Sequence, residues 1–131
     1  MIQTKDLMKI ARARLKDADI LLSSRRYDGA IYLCGYGIEL TLKTRICQTL
    51  KWPGYPSTNS EFEQYRSFKT HDLDVLLHLA GREQRIKTNF FAEWSTVAQW
   101  NPAARYLPIG TAKKDDAHLM ISAAKNLVKK I

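Results

Sequence analysis

The segment "RSFKTH", residues 66 to 71, places an arginine five positions ahead of a histidine in a chain that holds three histidines in all. An imidazole with a pKa near neutrality can take a proton from a hydroxyl, and a guanidinium can stabilise charge developing on a phosphate. Arg66 and His71 are therefore candidate catalytic residues for metal-independent cleavage of RNA. Lys69, between them, is a candidate phosphate-binding residue. On one regular helix five residues turn the chain by about 500°, which leaves the two side chains about 140° apart. They can converge only through a loop or across a subunit interface. The competing reading is structural, with His71 at the start of a helix, bonded to backbone or to a neighbouring carboxylate.

Other polar residues qualify less directly. Glu39 interrupts an apolar helical run beside Gly35 and Gly37, and a buried carboxylate needs a partner. Lys43, one turn on, stands in the favourable order for an ion pair. Both are candidate binding residues, as is Arg105 in a later connector. His78 lies one turn beyond Asp74 on one helix face and is expected to pair with it. His118 sits beside the apolar stripe of the last helix. Trp94 and Trp100, six apart, read as core and interface aromatics. If Cys34 and Cys47 share a helix, thirteen residues separate them by about 140° around the axis and well over a turn along it, too far to bridge. No CxxC or Cys/His cluster has metal-ligand spacing, so neither metal nor cofactor is implied.

The elements that must position these groups are helical. Leu7, Ala11, Leu15, Ala18 and Leu22 make one stripe over residues 4 to 24, with Lys5, Lys9, Arg12 and Lys16 along another face. Asp28 reads as the N-cap of a second helix over 29 to 50, apolar nearly all round in its first half. Glycines in such a helix imply close approach by a neighbour, a second copy of the chain included. "KWPGYPSTNSEFEQYRSF" is a long irregular stretch. "THDLDVLLHLAG" resumes as a short helix, capped by Thr70 and stopped by Gly81. Ile86, Phe90, Trp94 and Val97 mark another helix, ended before Pro102. The last runs from Thr111, with Ala117, Met120, Ile121, Ala124, Leu127, Val128 and Ile131 on one stripe. No segment alternates with period two over any length. The expected fold is all-α: an antiparallel bundle of four main helices with a short additional one, in a single domain over residues 1–131.

The chain has 131 residues and 45% hydrophobic content, the balance of an ordinary globular domain. Its first residues are charged throughout, and no apolar run approaches the roughly 18 residues of a membrane span. A cytoplasmic protein without membrane association is expected. Lysine and arginine total 21 against 13 acidic residues, a formal charge of +8. Such a field attracts phosphate backbones or acidic proteins.

Three phrases together resemble the HEPN superfamily (higher eukaryotes and prokaryotes nucleotide-binding): "RLKDADILLSSRRYDGAIYLCGYGIELTLKTRI", "KTHDLDVLLHLAG" and "WSTVAQWNPAARY". The resemblance covers most of the chain. It implies a helical bundle that commonly dimerises, in prokaryotic toxin–antitoxin, phage-defence or RNA-processing settings, often beside a minimal nucleotidyltransferase. Some members are metal-independent ribonucleases with an Arg and a His separated by four to six residues, a spacing that Arg66 and His71 satisfy. There the motif usually lies on a helix late in the chain, whereas here it ends a loop near the middle. Residue 67 is Ser where those motifs often carry Asn, Asp or His. Leu73 stands where one variant has a modifiable tyrosine. The expectation is thus a binding module for nucleotide or RNA, with a homodimer and a nucleotidyltransferase or acidic protein as partners. The alternatives are a toxin-like endoribonuclease using Arg66 and His71, and a protein-interaction subunit without ligand.

Overall fold

A computed structural model describes all residues, 1–131. The fold is mainly α. Strand β1 (Ile2–Gln3) leads into α1 (Thr4–Ser23) and α2 (Tyr27–Leu50), and β2 (Gly54–Tyr55) returns to pair with β1. Then follow α3 (Asn59–Phe62), a 3-10 turn (Arg66–Phe68), α4 (Leu73–Leu79), α5 (Glu83–Asn89), α6 (Phe91–Val97), a second 3-10 turn (Pro102–Tyr106) and α7 (Lys114–Val128). The β pair is antiparallel, with Ile2 opposite Tyr55, and is too short to carry an alternating pattern.

Helix α2 is the axis of the molecule. Ala30, Cys34, Ile38, Leu42 and Ile46 are all fully buried, as befits a helix apolar on several sides. Helix α1 covers one flank through Leu7, Ala11 and Ala18, and α4 and α7 cover others. The expected close approach at the glycines is present, but the chain's own side chains make it. A Cβ on Gly35 would lie 2.2 Å from the Trp100 ring, and one on Gly37 would lie 2.6 Å from Leu15. These glycines therefore face no second copy. Cys34 and Cys47 are free and buried.

Several local expectations change. The stretch expected as one helix around Ile86 to Val97 is two seven-residue helices, broken at Phe90 (φ −134°, ψ 39°). Helix α2 starts two residues earlier than expected, and Asp28 lies inside its first turn. The Asp28 carboxylate instead accepts the Gly110 and Ala112 N–H groups at 2.6 and 2.8 Å. Those two bonds hold its pKa below the usual carboxylate range. Asp72, not Thr70, caps α4, accepting from the Asp74 and Val75 N–H groups at 2.9 and 3.2 Å. Thr70 accepts from the Asp72 N–H one step earlier. Gly81, at φ +72°, does follow the end of α4 and turns the chain into α5.

The irregular stretch after α2 is ordered by aromatic packing. Trp52, Tyr55, Phe62, Tyr65 and Phe68 form a cluster of mostly edge-to-face pairs, with Trp52 5.0 Å from both Tyr65 and Phe68. The buried Tyr55 hydroxyl donates to the Phe68 carbonyl at 2.6 Å. That bond fixes the first 3-10 turn against β2, and so fixes where residues 69 to 71 leave it.

Candidate functional site

Glu39 is the charged residue most deeply placed in the protein, 2% exposed on α2. Its two oxygens are each taken. Lys43, one turn on, donates from Nζ to Oε2 at 3.2 Å, and His71 bonds Oε1 through Nδ1 at 2.8 Å. The expected Glu39–Lys43 pair is therefore present, with His71 as a third member from 32 residues away. Lys43 is itself largely buried and lies over the Tyr55 ring, 5.1 Å from its centre. The aromatic cluster thus supports the site from both sides: Tyr55 underlies Lys43 and, through Phe68, holds the segment that delivers His71.

The geometry determines what His71 can do. An ionised carboxylate accepts and cannot donate, so the Nδ1 facing Glu39 carries the proton. In the neutral ring Nε2 is then the free acceptor, and the side chain is 58% exposed. A buried carboxylate that orients an exposed imidazole is a competent proton-transfer unit. Tyr36, one turn before Glu39 on the same helix, has its hydroxyl pKa raised by burial, then by its bond to Tyr32 and by the Glu39 charge.

Arg66 lies apart from this unit. It is exposed on the first 3-10 turn and lines an open groove with Asn59, Phe62, Glu63 and Lys69, in which His71 takes no part. Neither a hydrogen bond nor an ion pair joins Arg66 to His71. Lys69 donates to the Asn59 side-chain oxygen at 2.7 Å. Arg105 belongs to another region again. It donates to the Pro102 carbonyl at 3.2 Å, covers the Tyr106 ring at 4.7 Å and lines a hollow of about 720 Å³ with Tyr32 and Trp100. The six candidates therefore divide into three places: Glu39, Lys43 and His71 together; Arg66 and Lys69 together; Arg105 alone.

The remaining polar side chains are mostly structural. His78 pairs with Glu83 at 2.8 Å rather than with Asp74. Asp74 accepts from the Trp94 indole N–H at 2.8 Å and from Lys87 at 3.2 Å. That assigns Trp94 to the core, as expected, while His118 is exposed. Nowhere do three or more His, Cys, Asp or Glu side chains gather in a metal-binding group. No helix is long and apolar enough to cross a membrane. Sequence reasoning did not single out Tyr55, whose role depends on a contact across the loop rather than on a local pattern.

Compared with protein-family models, with curated proteins and with solved structures, the chain finds no match.

Proposed function

We propose that this chain is a helical module that binds RNA or nucleotide through phosphate groups. The carrying observation is the disposition of its cations. Of 21 lysines and arginines, four (Arg14, Lys43, Lys87 and Lys125) have an aspartate or glutamate within ion-pair distance, and the other seventeen have neither. Internal pairing therefore leaves most of the positive charge available to an anionic partner. The resemblance to HEPN proteins points to the same ligand class. On that resemblance the setting is a cytoplasmic toxin–antitoxin, defence or nucleotidyltransferase-paired system. A homodimer is part of the proposal, supported by Leu107, Ile109 and Leu119, all exposed around one hollow. Light scattering should then give about twice the 15.1 kDa chain mass.

The test is titration of labelled single-stranded RNA at several salt concentrations. With three to four phosphates neutralised, log affinity should fall against log salt with a slope of about −2 to −3, a loss of roughly 15- to 60-fold between about 50 and 200 mM. Undetectable binding at low salt, or affinity indifferent to salt, defeats the proposal.

A second reading is favoured by one specific contact, the Glu39–His71 bond that leaves Nε2 exposed. It makes the chain a metal-independent endoribonuclease in which His71 takes the 2′-hydroxyl proton and Arg66 faces the phosphate. Cleavage of RNA in EDTA, with 2′,3′-cyclic phosphate ends and no action on a 2′-deoxy substrate, would establish it. His71→Ala and Arg66→Ala should then each lose about two or more powers of ten in rate while the protein stays folded. We favour the binding reading because Arg66 and His71 do not share a groove.

A further inference from the structure

We propose that Lys5, Lys9, Arg12 and Lys16 form a ridge along α1 that binds the phosphates of a single RNA strand, one base of which turns into the hollow beside Arg12. The inference rests on the binding reading above and names the surface that carries it, apart from Arg66, His71 and Arg105.

Helix geometry alone brings the four cations together. At 100° per residue they fall within an arc of about 60°, and they span about 17 Å of one unbroken helix. Their arc lies roughly 150° from the stripe of Leu7, Ala11 and Ala18 that packs the core, and all four are exposed. None has an aspartate or glutamate within ion-pair distance, because the acidic residues of α1 are engaged or set apart. Asp17 is paired with Arg14, and Asp19 with Lys125 of α7 at 2.9 Å. Asp6 stands in the first turn, where the helix dipole favours a negative charge. Successive members of the row are four, three and four residues apart, the spacings at which like charges on a helix repel. The row therefore works against the isolated helix, and an anion laid along it removes that repulsion.

A second observation lies beside the row. Arg12 also lines a hollow of about 240 Å³ between α1, α2 and the end of α7. Met8, Leu15 and Val128 are among its apolar walls, and the exposed Gln48 amide, which bonds nothing else in the chain, borders it. A nucleobase has the matching mixture, apolar faces with hydrogen-bonding edges, and Arg12 joins the phosphate row to that hollow. A lipid surface does not fit. An interfacial helix inserts its apolar face, and that face of α1 is packed against α2, with Leu15 seated over Gly37.

The test compares the intact protein with Lys9→Gln and Lys114→Gln, using labelled single-stranded RNA across a range of salt. Lys9 is exposed and unbonded, and glutamine matches lysine in helix propensity, so the variant should fold. Lys114 is an exposed cation about 17 Å along α7 from Lys125, and its loss is the equal change in net charge. Lys9→Gln should reduce the salt slope by about 0.7 and bind about eightfold more weakly at about 50 mM salt. Lys114→Gln should change affinity by less than about twofold. If RNA binds and the two variants behave alike, the ridge is wrong and the binding reading stands. If RNA does not bind the intact protein at low salt, ridge and reading both fall. Polyphosphate competing as well as RNA at equal charge would leave the hollow without a base and overturn the strand assignment. Loss of adhesion to phosphatidylserine vesicles in Lys9→Gln, with RNA affinity unchanged, would assign the row to a membrane and overturn it too.

Discussion

Gly35→Ala tests the central packing of the fold in a single methyl group. The new Cβ would sit 2.2 Å from Cδ2, Cε2 and Nε1 of Trp100. These atoms belong to a rigid fused ring, itself only 7% exposed, and edge-on to Tyr36 with centres 5.0 Å apart. The ring cannot bend away, so it must leave its seat or push α2 from the second 3-10 turn. Complete loss of a buried tryptophan costs about 3 to 5 kcal/mol, and overpacking with partial relaxation about 1 to 3. Alanine returns about 1 kcal/mol in helix propensity. The net expectation is a loss of about 2 to 3 kcal/mol, or roughly 6 to 12 °C in Tm for a domain of this size. Gly37→Ala is the comparison. Its Cβ meets Leu15 side-chain atoms, which can swing to another rotamer, so the loss should stay below about 1 kcal/mol. Urea unfolding followed by tryptophan fluorescence measures both. A Gly35→Ala protein as stable as the parent refutes the assigned contact. A loss that depends on protein concentration would transfer the close approach to a subunit interface.

Three further outcomes are expected. Glu39→Ala should destabilise by about 3 kcal/mol, because it leaves the largely buried Lys43 charge without its partner, while Glu39→Gln should cost less; denaturant titration reads both. Asp28→Asn should loosen residues 110–112 and cost about 1 kcal/mol. The Asp28 pKa is depressed in the folded state, so its contribution is present above the unfolded carboxylate range and is lost as pH falls through the folded value; stability measured from about pH 5 to pH 2 should show that decline weakened in the variant. Cys34, whose thiol is pushed up to about 12 chiefly by burial, should resist alkylation in the folded protein and react once it is unfolded in urea.

The three long helices were legible for two reasons: α1 and α7 each keep one periodic apolar stripe, and α2 is a long run, apolar nearly all round in its first half, without a helix breaker. The break at Phe90 was not. Ile86, Phe90, Trp94 and Val97 preserve helical spacing straight across it, so the stripe is continuous where the backbone is not. Asp28 shows a different limit. An aspartate before glycine at a helix start looks like a cap, but its carboxylate serves amides more than eighty residues away. His78 likewise left the near Asp74 for Glu83, because Asp74 is taken by Trp94 and Lys87. At the site, the Glu39–Lys43 pair was visible as a one-turn spacing. The third member, His71, was foreseen only as bonding either backbone or some neighbouring carboxylate. Which carboxylate depends on how the aromatic cluster folds the loop, and no local rule contains that.

The Glu39–His71 contact also sets how the two functional readings separate. A structural bond and an oriented general base have the same geometry in the resting protein, since both need Nδ1–H on the carboxylate and a free Nε2. They differ in what the exposed nitrogen faces. Arg66 and Lys69 are the nearest cations in sequence that could stabilise a phosphate, and both lie in a groove from which His71 is absent. Reaction would require the 66–71 segment to rearrange, or a second chain to supply the arginine. The first route must break the hold of the Tyr55 hydroxyl on Phe68. Tyr55→Phe removes that bond without removing the ring, so it frees the segment while the aromatic packing persists. Under the nuclease reading through rearrangement, this variant should cleave RNA faster than the parent in EDTA. Under the binding reading it should cost about 1 kcal/mol of stability and gain no cleavage at all.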